Sequence, residues 1–181
     1  MHTSLDGFAC GPNGELDWVN IDDEMFEFVE NKLSAECDTA LYGRHTYELM
    51  ESYWPTAADQ PNATKHDIQH AKWYKNANKI VLSKTMTEKK DDRLTIISDN
   101  LTDKIKKEKE KPGRDIYIFG SPTASHSLMK HDLIDGYWFF INPVLLSEGK
   151  PVFQNIQGSN KLKMTSTKIF SSGVICSAYE K

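Results

Sequence analysis

Cysteine is scarce in this sequence, with three residues among 181, Cys10, Cys37 and Cys176, and no CxxC pair. An odd number of widely spaced cysteines argues against a disulfide framework and against a cysteine zinc site. We therefore expect a reduced, cytoplasmic protein in which these residues are small buried side chains. Long apolar runs are also missing, because none approaches the roughly 20 residues that a membrane-spanning helix needs. The first four residues do not resemble a signal peptide.

An excess of charge of one sign is absent as well. The formal net charge is -4, and the isoelectric point is near 5.9. Nucleic acids and anionic membranes select basic surfaces, so we expect neither as a partner. Lys and Glu alternate in sign through residues 101–111, which indicates a solvated helix face. With 39% apolar and 27% charged residues, the composition is typical of a globular protein, and we expect a single domain over residues 1–181.

The order of predicted elements indicates the α/β class. The sequence predicts five helices. The first begins at Asp22 and Asp23, and the second begins after Gly43 and ends at Pro55. The other three cover Ile68–Tyr74, residues 101–111 with Asp99 as the N-cap, and Ala124–Met129. Strand patterns cover Thr39–Tyr42, Lys79–Ser83, Leu94–Ser98, Ile116–Phe119 and a long run from Tyr137 to Leu146 that Pro143 interrupts. A hairpin follows, with Lys161–Phe170 and Val174–Tyr179 on either side of Ser171-Ser172-Gly173. We therefore expect β/α units that lead into antiparallel strands.

The first candidate functional feature is the junction at Gly43. A glycine at a strand end allows the backbone to turn, and the helix that follows begins with free N–H groups and the positive end of its dipole. Arg44 and Thr46 stand in its first turn, where a guanidinium and a hydroxyl would favour an anion such as a phosphate. Taken alone, the same residues also fit an ordinary helix start with a solvated arginine.

Two further strand ends carry the same kind of chemistry. Ser83, Lys84 and Thr85 follow one apolar run, and Gly120, Ser121, Pro122 and Thr123 follow another. At the second, Ser121 suits an N-cap and Pro122 suits the first helical position. Ligands of parallel α/β sheets bind at the carboxyl ends of the strands, beside helix N-termini. Three such ends from one sheet together indicate an extended nucleotide cleft.

The ordered set of motifs resembles the dihydrofolate-reductase-like superfamily, and within it the reductase domain of bacterial riboflavin biosynthesis. The segments that carry the resemblance run in family order: Ser4–Phe8, Gly43–Tyr47, Lys79–Thr85, Ile118–Ser121, Leu133–Asp135, Asn142–Leu146 and Gly149–Phe153. The resemblance implies a three-layer fold with a central mixed, mainly parallel sheet, helices on both faces and a C-terminal antiparallel hairpin. It also implies NADPH as the cofactor and, by analogy with relatives, a homodimer. The sequence shows no His/Cys zinc signature, so we expect no metal ion.

The resemblance also assigns roles to residues. Gly43, Arg44 and Thr46 would hold the adenosine phosphates. The group Ser83, Lys84 and Thr85 would receive the 2′-phosphate, and Gly120, Ser121, Pro122 and Thr123 the pyrophosphate. Ser4, Asp6 and Gly7 would lie near the nicotinamide and the substrate.

The expected reaction is hydride transfer from NADPH to a C=N or C=O bond of a small heterocyclic or ribosylaminopyrimidine-like substrate. The reaction needs a proton donor. Asp6 is the first candidate, and Asp22 or Asp23 is the second. The structural alternatives are a turn-forming role for Asp6 and helix capping for Asp22 and Asp23. Trp18, Phe26 and Trp54 are candidates for lining the pocket, or else belong to the core. Dihydrofolate reductase proper and an NADPH-binding module without activity are the alternative functions.

Overall fold

The structure is a computed structural model that describes residues 1–86, 92–154, 156 and 158–181. The chain divides into two compact units: Met1–Asp22 with Pro122–Lys181, and Asp23–Ser121. The single domain stays a prediction. No helix in the described ranges is long and apolar enough to cross a membrane.

The second unit, Asp23–Ser121, contains a parallel sheet and four helices. Its elements are α1 (Asp23–Glu36), β3 (Cys37–Gly43), α2 (Arg44–Ala57), α3 (Lys65–Asn76), β4 (Asn78–Leu82), β5 (Leu94–Ile97), α4 (Leu101–Lys109) and β6 (Asp115–Ile118). The strands are ordered β5-β4-β3-β6, and every neighbouring pair is parallel. Central strands of such a sheet are buried on both faces, which explains the continuous apolar run of β3.

The core of this unit is rich in tyrosine. Tyr42, Tyr47 and Tyr74 are each 1% exposed and pack with Ala40 and Val81. The Tyr74 hydroxyl donates to Glu51 Oε2 at 2.8 Å, which ties α3 to α2. A capping box starts α3, because the Thr64 hydroxyl accepts from the Asp67 N–H at 3.1 Å while the Asp67 carboxylate accepts from the Thr64 N–H at 2.8 Å.

The first unit combines a mixed sheet with one helix. Its elements are β1 (His2–Ser4), β2 (Phe8–Cys10), α5 (Pro122–Lys130), β7 (Gly136–Asn142), β8 (Lys150–Pro151), β9 (Lys163–Ile169) and β10 (Ile175–Glu180). The four-stranded sheet has the order β1-β7-β10-β9, with β1 parallel to β7 and the other pairs antiparallel, and β2 pairs with β8 separately. The predicted C-terminal hairpin is confirmed, and its turn places Gly173 at φ +82°.

Several sequence predictions are confirmed here. The α/β class is correct, as are the parallel strands of the second unit and the antiparallel C-terminal strands. All three cysteines are free and buried. Burial raises the pKa of the Cys37 thiol to about 12, so this cysteine is a packing residue and not a nucleophile.

Three element predictions are wrong. Helix α2 does not stop at Pro55 but continues to the fully buried Ala57, since a proline in the last turn removes only one hydrogen bond. Asp99 does not cap α4: Asn100, at φ 43°, is the cap residue, and the Asp99 carboxylate pairs with Lys104.

The third error concerns residues 144–146, which leave the sheet after Asn142. The Val144 N–H turns back to the Asn142 carbonyl at 2.8 Å. The Leu146 N–H is bound by the Asp6 carboxylate at 3.2 Å. A side-chain acceptor therefore takes an N–H that a continued strand would have used.

Candidate functional site

Three strand ends meet at one edge of the parallel sheet in the second unit. Gly43 at the end of β3 is the register partner of Leu82 at the end of β4, and Ser83 follows directly. On the other side of β3, the Phe119 N–H donates to the Leu41 carbonyl at 3.0 Å, immediately before Gly120. The predicted convergence of the three segments on one sheet edge is therefore present in the fold.

The N-terminus of α2 has the features of an anion site. Gly43 is its cap residue, with extended backbone (φ -81°, ψ 161°) and no side-chain capping hydrogen bond. Backbone N–H groups at the start of this 14-residue helix are therefore open to an anion. Arg44 in the first turn forms an ion pair with Glu48 at 3.3 Å, and both side chains are partly exposed. An anionic ligand would compete with that carboxylate for the guanidinium.

The segment after β4 forms a tight hydroxyl-centred turn. Ser83 Oγ accepts hydrogen bonds from the N–H groups of Thr85 at 3.2 Å and Met86 at 3.0 Å. Both lone pairs of the Ser83 hydroxyl oxygen are used in this way, so the hydroxyl can still donate its hydrogen. A phosphate oxygen is an acceptor and needs such a donor. Lys84 and Thr85 are exposed on the same turn.

The third segment has unusual backbone geometry. Gly120 and Ser121 both adopt φ 52°. For serine the left-handed region costs about 1 kcal/mol or more, and such strain is concentrated at functional sites. An N-cap residue normally has extended backbone, so Ser121 lacks the predicted cap conformation. A Cβ added at Gly120 would lie 3.7 Å from Thr46 Cγ2, so this segment borders the start of α2.

The remaining two residues of that predicted segment, Pro122 and Thr123, open α5 and belong to the first unit. Pro122 occupies the first helical position, as predicted. The first unit also contains four of the predicted catalytic and substrate residues: Ser4, Asp6, Trp18 and Asp22.

Within the first unit, Asp6 is held by three hydrogen bonds. Its carboxylate accepts from Ser4 Oγ at 2.6 Å, from the Ser147 N–H at 2.8 Å and from the Leu146 N–H at 3.2 Å. These bonds, led by the one from Ser4, lower the pKa of Asp6 below its ordinary value. The three hydrogen bonds stabilise the carboxylate form and hold the turn, and proton donation by Asp6 stays a prediction.

Trp18 and Asp22 lie in the segment that follows. The Trp18 indole donates to the Glu15 carbonyl at 3.0 Å within its own loop, and the ring is half-buried. Asp22 is half-buried immediately before α1, whereas Asp23 is exposed as the first residue of that helix.

Phe26 and Trp54, the other two predicted pocket residues, both lie in the second unit and surround two histidines. The Phe26 ring stacks on His66 with centroids 3.7 Å apart. Trp54 lies 4.0 Å from the His70 ring and edge-on to His66 at 5.5 Å. Glu30 completes this group, with Oε1 2.5 Å from His70 Nδ1.

The cluster of Glu30, His66 and His70 was not predicted from the sequence. The available signal was the spacing of the histidines, one helical turn apart on α3, which puts both side chains on one face. Glu30 comes from a different helix, 40 residues before His70. No local pattern identifies it as their partner.

Comparison with known proteins identifies the family. The family model described as RibD C-terminal domain matches residues 1–176. The uncharacterized protein YyaP of Bacillus subtilis is 36% identical over 182 residues, which cover 99% of this chain and 91% of that protein.

Solved structures share the fold. A putative riboflavin biosynthesis protein from Shewanella sp. PV-4 superposes with a TM-score of 0.71 at 25% identity, covering 99% of this chain and 95% of that one. The dihydrofolate reductase of Enterococcus faecalis, solved with NADP(H), superposes with a TM-score of 0.62 at 17% identity, covering 99% of this chain and 92% of that one. The family match spans nearly the whole sequence, and the chain belongs to the RibD C-terminal domain family.

Proposed function

We propose that this protein is an NADPH-dependent reductase that transfers hydride to a C=N or C=O bond of a small heterocycle of the ribosylaminopyrimidine type. The observation that carries the proposal is the meeting of Gly43, Ser83 and Gly120 at one edge of a parallel sheet, in a member of the RibD C-terminal domain family. The Shewanella relative, a putative riboflavin biosynthesis protein, supports the substrate class. The Enterococcus reductase that binds NADP(H) supports the cofactor through the shared fold.

The residues at the sheet edge fit a dinucleotide phosphate. The start of α2 has no side-chain cap, so its N–H groups and Arg44 would hold adenosine phosphates, with Thr46 alongside. Ser83, Lys84 and Thr85 supply hydroxyls and a cation without an acid, which suits a 2′-phosphate and disfavours a free ribose hydroxyl. Gly120 and Ser121, followed by Pro122 and Thr123, would receive the pyrophosphate through backbone N–H groups.

The chain's own contribution at the reacting end is orientation and a proton. When bound, NADPH supplies the hydride. We assign proton donation to Asp22, which is half-buried immediately before α1, in preference to Asp6, whose carboxylate form is stabilised by three hydrogen bonds in its turn. Asp6 and Ser4 then shape the turn beside the substrate, where Trp18 is the aromatic candidate. The homodimer and the cytoplasmic location stay predictions.

The cofactor assignment is tested by the affinities of variants for NADPH and NADH, measured by titration calorimetry. Replacement Arg44→Ala removes a charge-assisted hydrogen bond of about 1.5–3 kcal/mol, so NADPH affinity falls by about 10- to 100-fold. Lys84→Ala lowers the affinity for NADPH more than that for NADH, because only NADPH carries the 2′-phosphate. Arg114→Ala, at the amino end of β6 and therefore at the opposite sheet edge, leaves NADPH affinity unchanged.

Turnover is then followed as NADPH oxidation with a panel of ribosylaminopyrimidines, pterins and dihydrofolate. Preferred reduction of a ribosylaminopyrimidine supports the proposal, whereas preferred reduction of dihydrofolate identifies a dihydrofolate reductase. Tight NADPH binding without turnover of any compound identifies a binding module. A protein that neither binds NADPH nor gains thermal stability from it refutes the nucleotide assignment.

A further inference from the structure

Helices α1 and α3 bring three metal-ligating side chains together inside the second unit. Glu30 comes from α1, and His66 and His70 come from consecutive turns of α3. One ligand atom from each side chain lies within 4.8 Å of the other two. Glu30 is 8% exposed and His70 is 7% exposed. Such burial is unusual for ionisable side chains that have no structural or binding role.

Within this cluster His70 is paired with Glu30, whereas Nδ1 of His66 is not hydrogen-bonded among the described residues. His70 Nδ1 is 2.5 Å from Glu30 Oε1, a short charge-assisted contact. His66 Nδ1 is 3.8 Å from the same oxygen, and this buried nitrogen has no hydrogen-bond partner among the described residues. A buried polar atom without a partner costs free energy, which is recovered if a ligand binds there.

We propose that Glu30, His66 and His70 form a binding site for a divalent transition-metal ion of the Zn²⁺ class. Two imidazoles and one carboxylate are ligands that Zn²⁺ accepts, whereas Mg²⁺ and Ca²⁺ prefer oxygen alone. Tetrahedral Zn²⁺ with ligand distances of about 2.1 Å needs neighbouring donor atoms about 3.4 Å apart. The donors here lie 2.5 Å and 3.8 Å from Glu30 Oε1 and all within 4.8 Å of one another, so that geometry needs only small side-chain movements, which include a slight opening of the His70–Glu30 contact. Water completes the fourth position.

The surrounding aromatic rings fix the two imidazoles in place. The Phe26 ring lies nearly parallel to His66, at an interplanar angle of 16°. Trp54 packs on both histidines, and Trp73 lies 5.2 Å from His70. This apolar wall limits the water around the donors, which strengthens their interaction with a cation.

Metal binding would replace the hydrogen bond now formed between His70 Nδ1 and Glu30 Oε1. The ion takes the Nδ1 lone pair and the carboxylate oxygen, and the Nδ1 proton passes to Nε2 of the same ring or to the buffer. A purely structural pair would instead keep its hydrogen bond and show no affinity for Zn²⁺. The two possibilities therefore differ in the stoichiometry of Zn²⁺ binding.

The experiment is titration of the purified, metal-free protein with ZnSO₄ by calorimetry. We expect one Zn²⁺ per chain. His66→Ala removes a ligand but leaves the His70–Glu30 pair intact, so Zn²⁺ affinity falls by about 100-fold or more. His45→Ala, which replaces a side chain that is 86% exposed on α2, is the matched control and keeps the wild-type affinity.

Circular dichroism verifies that each variant is folded. If His66→Ala fails to fold, Co²⁺ added to the wild-type protein decides the question. Intense visible absorption of tetrahedral Co²⁺, abolished by one equivalent of Zn²⁺, supports the site. A dissociation constant weaker than about 0.1 mM, unchanged affinity in a folded His66→Ala variant, or a weak octahedral Co²⁺ spectrum overturns the proposal.

Discussion

We predict that His2 makes the stability of this protein dependent on pH. Its ring stacks on Phe140, with centroids 4.9 Å apart, and its Nδ1 accepts a hydrogen bond from Asn142 Nδ2 at 3.4 Å. An amide nitrogen can only donate, so this contact requires the neutral imidazole. Burial, assisted by the nearby α-ammonium group of Met1, lowers the pKa of His2 from 6.5 to about 3.

The two pKa values determine the size and sign of the effect. Between pH 6.5 and 3 the unfolded chain binds a proton at His2 that the folded chain excludes, so the free energy of unfolding falls as the pH is lowered. The stabilisation is complete above pH 6.5. On acidification from pH 8 to pH 5, the linkage relation gives a loss of about 2 kcal/mol from this residue alone.

The assay is urea unfolding of the wild type and of His2→Gln at several pH values from 8 to 5. The carboxyl groups and the Met1 amino group, whose pKa burial lowers to about 6, titrate in both proteins, so the difference between the two curves reports on His2 and on its coupling to Met1. We expect this difference to shrink by about 2 kcal/mol as the pH falls. His131→Gln, an exposed histidine replacement in the same unit, should follow the wild type throughout. A difference that stays constant with pH, or an NMR titration of His2 with a midpoint near 6.5, refutes the reasoning.

Two further predictions concern stability. Gly149→Ala places a Cβ 2.2 Å from the Cys10 carbonyl oxygen at φ +146°, so we expect the free energy of unfolding in urea to fall by at least about 2 kcal/mol. The control is Gly14→Ala, at φ +93° with no atom within 4 Å of the added Cβ. It should lose less stability because it adds strain without a clash. Equal losses for the two variants contradict the clash. Leu33→Ala empties a fully buried position on α1 and should cost about 2–5 kcal/mol by the same assay, whereas Leu49→Ala, 59% exposed, stays within about 0.5 kcal/mol.

The sheet edge could be predicted from sequence because its signals are local. An apolar run followed by glycine or serine identifies each strand end, and parallel pairing then places the ends together. The segment 144–146 could not be predicted in this way. Its apolar residues satisfy a strand pattern, but the Asp6 carboxylate, some 140 positions away, binds the N–H groups of Leu146 and Ser147. Whether these N–H groups bond to a neighbouring strand or to a distant carboxylate depends on the tertiary structure, which a local sequence pattern does not show.

The same distinction explains the aromatic residues. Phe26 and Trp54 were predicted to lie at a pocket because large rings are expected in cores or binding sites. What they contact depends on how α3 packs against α1 and α2, which helical periodicity does not specify. In the structure both rings lie against His66 and His70, and their place at a substrate pocket stays a prediction.

Helix α2 spans both candidate sites of the second unit, and its length makes their tests independent. Arg44 is its first residue and Trp54 its eleventh, so along the helix axis they are about 15 Å apart. Substitutions separated by more than about 10 Å without shared partners normally act additively. Loss of NADPH affinity in Arg44→Ala should therefore leave Zn²⁺ affinity intact, and loss of Zn²⁺ affinity in His66→Ala should leave NADPH affinity intact. If either replacement alters both affinities, α2 itself has been disturbed, and the change in affinity cannot be assigned to a single lost contact.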